Sequence, residues 1–351
     1  MVLLAVAVNP AVFGICRLPV PDVGLTVGGA SVGPAQSSAG ATPTAYGDCG
    51  PDAQPETGLQ GQVPAADQAS GKSKRGDRCN LQLVGQTDLN MRGANFQLAW
   101  YRDCAYVSVV GSSELQPASD DSARGIGVVD ASNPGKPELV QVVRSPVGNS
   151  EHEAIEVNQA RGMLVTAVEG LAARYLEIYD VSQDCRQPVF KGRFDAGSPM
   201  YHGLRISDDG RTVYATDTFR SGSGEVLHVL DVSDMSNPTL LKRWDPVQTN
   251  PVEPYAIHDL DVSADGDRAY LGAAPPSSSV GTILAGFPSN TGPSLVVLDT
   301  SDVRLRRPNP DPRPIGQLHL PNFGHSIQRA TIKGKPYIFL GGETPIGGSK
   351  N

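Results

Sequence analysis

The chain has 351 residues, of which 19% are charged, with 39 glycines, 29 prolines and a formal net charge of −8. A pI near 5.3 excludes the basic face that nucleic-acid binding requires. The wealth of turn-forming residues, with no long amphipathic helix, suits an all-β protein.

At the start, Val2–Val8 is apolar but too short to span a bilayer. It suits the core of an export signal, although no basic residue precedes it and Phe13-Gly-Ile-Cys16 fits a lipoprotein cleavage box poorly; a truncated start is the other reading. From Gly28 to Gly71 the chain is rich in Ser, Ala, Pro, Gly, Gln and Thr and has no period of 2 or 3.6, which reads as a linker. Residues 1–78 are therefore predicted to be a leader and disordered linker, and 79–351 the folded domain. The basic cluster Lys72–Arg78 falls in the linker and reads as solvated charge.

Asn80-Leu-Gln-Leu-Val-Gly-Gln86 is predicted to be an outer strand leading into a series of repeats. The repeats begin at Asn95-Phe-Gln-Leu-Ala-Trp, His152-Glu-Ala-Ile-Glu-Val, His202-Gly-Leu-Arg-Ile-Ser, His258-Asp-Leu-Asp-Val-Ser and His325-Ser-Ile-Gln-Arg. Each start leads into a hairpin. In the first four units an apolar strand follows that is closed by an aspartate and a turn: Gly127-Val-Val-Asp130-Ala-Ser-Asn-Pro, Leu176-Glu-Ile-Tyr-Asp180-Val-Ser, His228-Val-Leu-Asp231-Val-Ser-Asp-Met-Ser-Asn-Pro and Leu295-Val-Val-Leu-Asp299-Thr-Ser. Further apolar runs follow at Glu138, Val189, Thr239 and Ile315. Four short runs per unit make a four-stranded meander, and repeats of about 40–50 residues built this way are propeller blades. At least five units are visible. The last shows two strands before Asn351, so either the Asn80–Gln86 strand completes it or, the favoured reading, the chain is part of a longer protein.

The strand that ends Asp-Val-Ser-Asp-Met-Ser-Asn-Pro at His228–Pro238 resembles the LVIVD-repeat family, and the resemblance runs from Leu81 to Gly342. Glu56-Thr-Gly-Leu-Gln-Gly-Gln-Val-Pro is similar to the segment before the domain in bacterial secreted members. The resemblance implies a β-propeller in a secreted or cell-surface setting, with an extracellular protein or small molecule as partner. It implies no defined biochemical role.

The cysteines are Cys16, Cys49, Cys79, Cys104 and Cys185, without a Cys-x-x-Cys pair. Placing Cys79 at the foot of the first blade, where the Asp103-Cys104 hairpin turns, predicts a Cys79–Cys104 disulfide; unpaired buried thiols are the alternative.

In a propeller the innermost strand of each blade lines the axis, so residues at equivalent starts converge on one mouth. His152, His202, His258 and His325 are thus expected to form part of a ring, with Asn95 as a fifth member. Convergent imidazoles suit a transition metal, copper or iron being favoured. Glu151, Glu153 and Asp259 flank the ring, and Glu153 and Asp259 are the candidate acceptors for the outer imidazole nitrogens. Tyr201, Tyr255 and Arg205 are further candidates for that mouth, whereas His228 and His319 fall on later strands. The layout is similar to that of carotenoid-cleaving oxygenases and of the selenium-binding-protein family of methanethiol oxidases, without their longer motifs. The resulting expectation is a metal-dependent oxidase or oxygenase. The rivals are a non-catalytic extracellular scaffold, in which the histidines are merely structural copies, and a lactonase-like hydrolase.

Overall fold

The computed structural model describes residues 13–16, 65–75, 78–79, 81–92, 95–109, 125–145, 154–167, 175–196, 201–217, 226–249, 255–274, 292–320 and 324–342. The chain divides into two compact units, residues 1–12 with 19–86, and residues 13–18 with 87–351. The first contains a short helix, Ala65–Ala69, and a 3-10 turn, Lys72–Arg75, linked by Lys72 and Asp67 at 3.8 Å. Residues 81–86 form no strand, so the expected outer strand at Asn80–Gln86 is not there.

The second unit is a β-propeller. The strand β1 spans Phe13–Cys16. Blade 1 holds β2 (Asn95–Tyr101), β3 (Cys104–Val109), β4 (Ile126–Asp130) and β5 (Glu138–Val143). Blade 2 holds β6 (Ile155–Asn158), β7 (Met163–Ala167), β8 (Tyr175–Asp180) and β9 (Val189–Asp195). Blade 3 holds β10 (Tyr201–Ile206), β11 (Thr212–Asp217), β12 (Val226–Asp231) and β13 (Thr239–Trp244). Blade 4 holds β14 (Ala256–Val262), β15 (Arg268–Ala274), β16 (Leu295–Asp299) and β17 (Arg313–Leu318). Blade 5 has β18 (Gly324–Ile332) and β19 (Lys335–Gly342), and β1 supplies its third strand, Phe13 pairing with Gly341 and Cys16 with Ile338. The strand expected from Asn80–Gln86 is thus replaced by one from much earlier in the chain. The first strands of the blades adjoin in chain order, β2, β6, β10, β14 and β18.

The middle strands are apolar on both faces because a blade packs against a neighbour on each side. Met163, Leu164 and Val165 of β7 are all fully buried, as are Val226, Leu227 and Val229 of β12. Between blades 3 and 4 the core is made of Tyr214, Leu227, Val229, Trp244, Ile257 and Leu271, among others. Burying each such side chain stabilises by roughly 1.5–3 kcal/mol.

The repeated aspartates are turn-formers. Asp130, Asp180, Asp231 and Asp299 each accept, through Oδ1, the N–H two residues on, from Ser132, Ser182, Ser233 and Ser301, at 2.8–3.0 Å. The Ser182 and Ser301 hydroxyls donate to the same oxygens, and hydrogen bonds from the serines hold Asp130, Asp180 and Asp299 below the usual carboxylate range. Each of the four outermost strands, β5, β9, β13 and β17, then carries a register shift at the same point, opposite the boundary Val128/Val129, Ile178/Tyr179, Val229/Leu230 or Val297/Leu298.

The predicted Cys79–Cys104 disulfide is not formed. Cys104 is bonded to Cys185, with Cα atoms 5.8 Å apart, and Cys79 is disulfide-bonded elsewhere. The physical reason is blade adjacency. Cys104 opens β3 at the foot of blade 1, and the turn between β8 and β9 of blade 2 rests on it. There the Tyr106 hydroxyl donates to the Cys185 carbonyl at 2.7 Å, and Arg186 approaches Asp130 at 3.8 Å.

Candidate functional site

In β14, Ile257 pairs with Ala273 and Asp259 with Gly272, so His258 is an extra residue opposite no partner. In β18, Gly324 pairs with Gly342 and Ser326 with Gly341, and His325 is the extra residue. In β10, Tyr201 pairs with Asp217 and Leu204 with Ala215, which sets His202 and Gly203 against Thr216 alone. All three histidines therefore sit on β-bulges, which re-aim a side chain out of the regular alternation. The bulge in β10 is held by Thr216, whose Oγ1 accepts the Gly203 N–H at 2.7 Å. A Cβ on Gly203 would lie 2.7 Å from the His258 carbonyl and 2.9 Å from Thr216 Oγ1, so only glycine lets the two bulges approach.

Three of the four predicted histidines meet. His202 and His258 are 2% and 7% exposed, with their rings edge to face at 4.2 Å between centroids and their Nε2 atoms 2.8 Å apart. His325, partly exposed, lies over His258 at 3.9 Å, tilted by 35°. His258 Nδ1 is 3.1 Å from the His325 carbonyl and His325 Nδ1 is 2.8 Å from Ser326 Oγ. A carbonyl only accepts, so Nδ1 of His258 carries the proton and its Nε2, in the neutral ring, carries the lone pair. In a neutral pair His202 Nε2 is then the donor.

His152, Glu151 and Glu153 lie outside the described residues. Counted along the chain, Ile155 pairs with Thr166 as Leu204 pairs with Ala215, and the residue two before Ile155 is Glu153; His152 is one residue earlier. The same one-residue difference corrects Asn95. Leu98 pairs with Val107 at the register of Leu204 with Ala215, so Phe96, 41% exposed, stands where the histidines stand. Asn95 Oδ1 instead accepts from Arg92 Nε at 2.7 Å, and the Arg92 guanidinium donates to the carbonyls of Gly125 and Val107. A shorter inner hairpin in blade 1, turning at Arg102, shifted the apparent alignment.

Asp259 does not take an imidazole proton. Its Oδ1 accepts the Leu260 N–H at 2.8 Å and its Oδ2 the Ile327 N–H at 3.0 Å, and burial pushes its carboxyl up. The acceptor for His258 is a main-chain carbonyl. Arg205 belongs to a ladder of charges farther along the inner strands. Its Nη1 donates to Glu156 Oε1 at 3.1 Å, and its Nε lies 3.5 Å from Asp261 Oδ1, while Arg329 Nε is 3.3 Å from the same oxygen. Burial pushes Glu156 up to about 7 despite Arg205. Tyr255 is buried in the core between blades 3 and 4; His228 is buried on β12 and His319 is exposed after β17.

The donor set can be tested against a metal. Two imidazole nitrogens facing each other at 2.8 Å match neighbouring ligands of an ion with bonds near 2.0–2.1 Å, about 3 Å apart. The His325 ring is stacked, and among the described residues no three His, Cys, Asp or Glu are arranged to hold an ion.

The family model described as the LVIVD repeat matches residues 223–245, which hold β12, the Asp231 turn and most of β13. Blade 3 of the β-propeller thus carries a segment that matches the LVIVD repeat. No curated protein matches it. Among solved structures, a nidogen/laminin complex is similar at 13% identity over 66% of this chain and 67% of that chain, with a TM-score of 0.41. The periplasmic gluconolactonase of Pseudomonas aeruginosa is similar at 14% identity over 68% and 60%, TM-score 0.44. A putative 6-phosphogluconolactonase of Bacteroides uniformis is similar at 14% over 70% and 66%, TM-score 0.42. The chain thus spans about two thirds or less of their lengths, and at these scores they carry no argument about activity. Among the described residues no helix is long and apolar enough to cross a membrane.

Proposed function

We propose that this LVIVD-repeat protein is an extracytoplasmic metal protein that holds copper or iron at its bulge histidines. The observation that carries the reading is the pair of Nε2 atoms of His202 and His258, facing at 2.8 Å from adjacent blades. His202 and His258 would be the anchoring ligands, His325 a third after its stacked ring turns, and blade 2 would contribute through His152 or Glu153. Copper or iron there would supply one-electron chemistry, the basis of an oxidase or oxygenase activity. The chain's own residues orient the rings: the His325 carbonyl fixes the His258 tautomer, and Thr216 and Gly203 hold the β10 bulge against β14. The disulfides favour an oxidising compartment.

A second reading has its own observation. An imidazole-to-imidazole hydrogen bond and a carbonyl contact satisfy His258 without an ion, so the cluster would serve as a clip between blades of a non-catalytic scaffold. Elemental analysis of untagged protein exported to an oxidising compartment separates the two. Stoichiometric copper or iron in the wild type, lost in His202→Ala and in His258→Ala, supports the metal reading. A wild type that takes up neither Cu(II) nor Fe(II) overturns it and leaves the scaffold.

A further inference from the structure

The strands β10, β14 and β18 adjoin but belong to three separate sheets, so no ladder of sheet hydrogen bonds fixes how far one is slid along the next. Yet the histidines meet only at one setting of that slide. At two of the joints between blades, side-chain carboxylates do the fixing. Glu156 Oε2 accepts the Ile206 N–H at 2.5 Å across the joint between blades 2 and 3, and Asp261 Oδ2 accepts the Arg329 N–H at 2.6 Å across the joint between blades 4 and 5. These two contacts are equivalent by register, since Ile155 pairs with Thr166 as Leu260 pairs with Leu271, and Glu156 and Asp261 each come next. They are one clamp used at two joints; the corresponding residues of blades 1 and 3, Ala99 and Arg205, carry no carboxylate.

Asp259 is different. It stands two residues before Asp261 on the same side of β14, and its Oδ2 accepts the N–H of Ile327, two residues before Arg329. The corresponding position in blade 2 is Ala154, and in blade 3 it is Gly203, neither of which has a carboxylate. Blades 4 and 5 are therefore joined by a double clamp at matching two-residue intervals, Asp259 to Ile327 and Asp261 to Arg329. A slip of one residue breaks both. The added member adjoins His258 in the chain and grips the backbone two residues beyond His325.

We propose that Asp259 is the positioning residue of the histidine cluster, setting β18 against β14 so that His325 lies over His258 and is within reach of whatever His258 binds. The proposal rests on the metal reading only for its metal readout; the ring placement stands without it.

The test uses the full chain with disulfides intact and two measurements. Cobalt(II) and copper(II) titrations followed by their visible and electron paramagnetic resonance spectra report the ligand set. Imidazole proton and nitrogen resonances of the metal-free protein report the stacking of His258 and His325. Asp259→Ala is expected to weaken metal binding about 10- to 100-fold, the usual effect of losing a group that orients a ligand, with a spectrum like that of His325→Ala. It should also abolish the ring-current shift between the two imidazoles. Glu156→Gln, which touches the clamp at the joint between blades 2 and 3, should leave both signatures in place, and Asp259→Glu should restore part of the shift. Unchanged imidazole resonances in folded Asp259→Ala would overturn the proposal, as would an equal loss of stacking in Glu156→Gln. A wild type that binds neither metal defeats the metal reading, and the imidazole resonances then decide the placement alone.

Discussion

Gly203 and the carbonyl of His258 approach so closely that a methyl group on the glycine would sit 2.7 Å from the oxygen. The two bulges are thus packed backbone to backbone, and the Nε2 contact of their histidines depends on it. Gly203→Ala is expected to push β10 away from β14 and to cost about 1–3 kcal/mol, as overpacking of a filled interior does. Urea unfolding checks the cost. Loss of the metal-dependent spectrum in a variant that still folds checks the link to the site.

The Cys104–Cys185 bond closes a loop with a sequence separation of 81 residues. On the chain-entropy account a loop of that size contributes about 4.5 kcal/mol. Cys104→Ser with Cys185→Ser should lower the unfolding free energy on that scale, and non-reducing peptide mapping of the wild type should recover the two cysteines in one fragment. Recovery of Cys79 linked to Cys104 would contradict the assignment.

Glu156 gives a pH dependence of definite sign. Its carboxyl is pushed up from 4.5 to about 7, with burial, aided by repulsion from Asp261, outweighing Arg205 and the Ile206 N–H. A raised carboxyl contributes stability that is fully present below about pH 4.5 and lost as pH rises through 7. Glu156→Gln removes that dependence. The difference in unfolding free energy between wild type and variant should drift against the wild type from pH 4.5 to 7.5; a difference constant with pH would refute the assignment.

Thr166 is fully buried, and among the described residues its hydroxyl has no hydrogen-bond partner. A buried hydroxyl without a partner costs roughly 1–3 kcal/mol. Thr166→Val keeps the shape and removes the polar atom, so the variant should unfold at the same or a higher temperature in a thermal melt.

Much of this was readable beforehand. The meander of each blade follows from apolar runs between turn residues, and Asp130, Asp180, Asp231 and Asp299 announce their turns because an aspartate two residues before a serine N–H caps it locally. Local chemistry leaves a local signature. The histidine phase was legible for His202, His258 and His325 but slipped by one at Asn95, because a bulge adds a residue and the hairpin at Arg102 removes others, and neither change disturbs the apolar pattern. Cys185 and the Asp259–Ile327 contact were invisible for another reason. Both join neighbouring blades, and which turn meets which strand is decided by packing between sheets rather than by spacing along the chain.

The register shifts that recur in the four outermost strands carry a consequence for behaviour in concentrated solution. An outer strand bares a row of N–H and C=O groups on which a strand of another molecule can stack, the first step towards fibres. Val140, Phe190, Leu240 and Ile315 on those strands are exposed and would reward such stacking. The extra residue in each strand bends the row out of line, so two molecules meeting rim to rim find no straight edge to share, and the greasy rim remains compatible with a monodisperse protein.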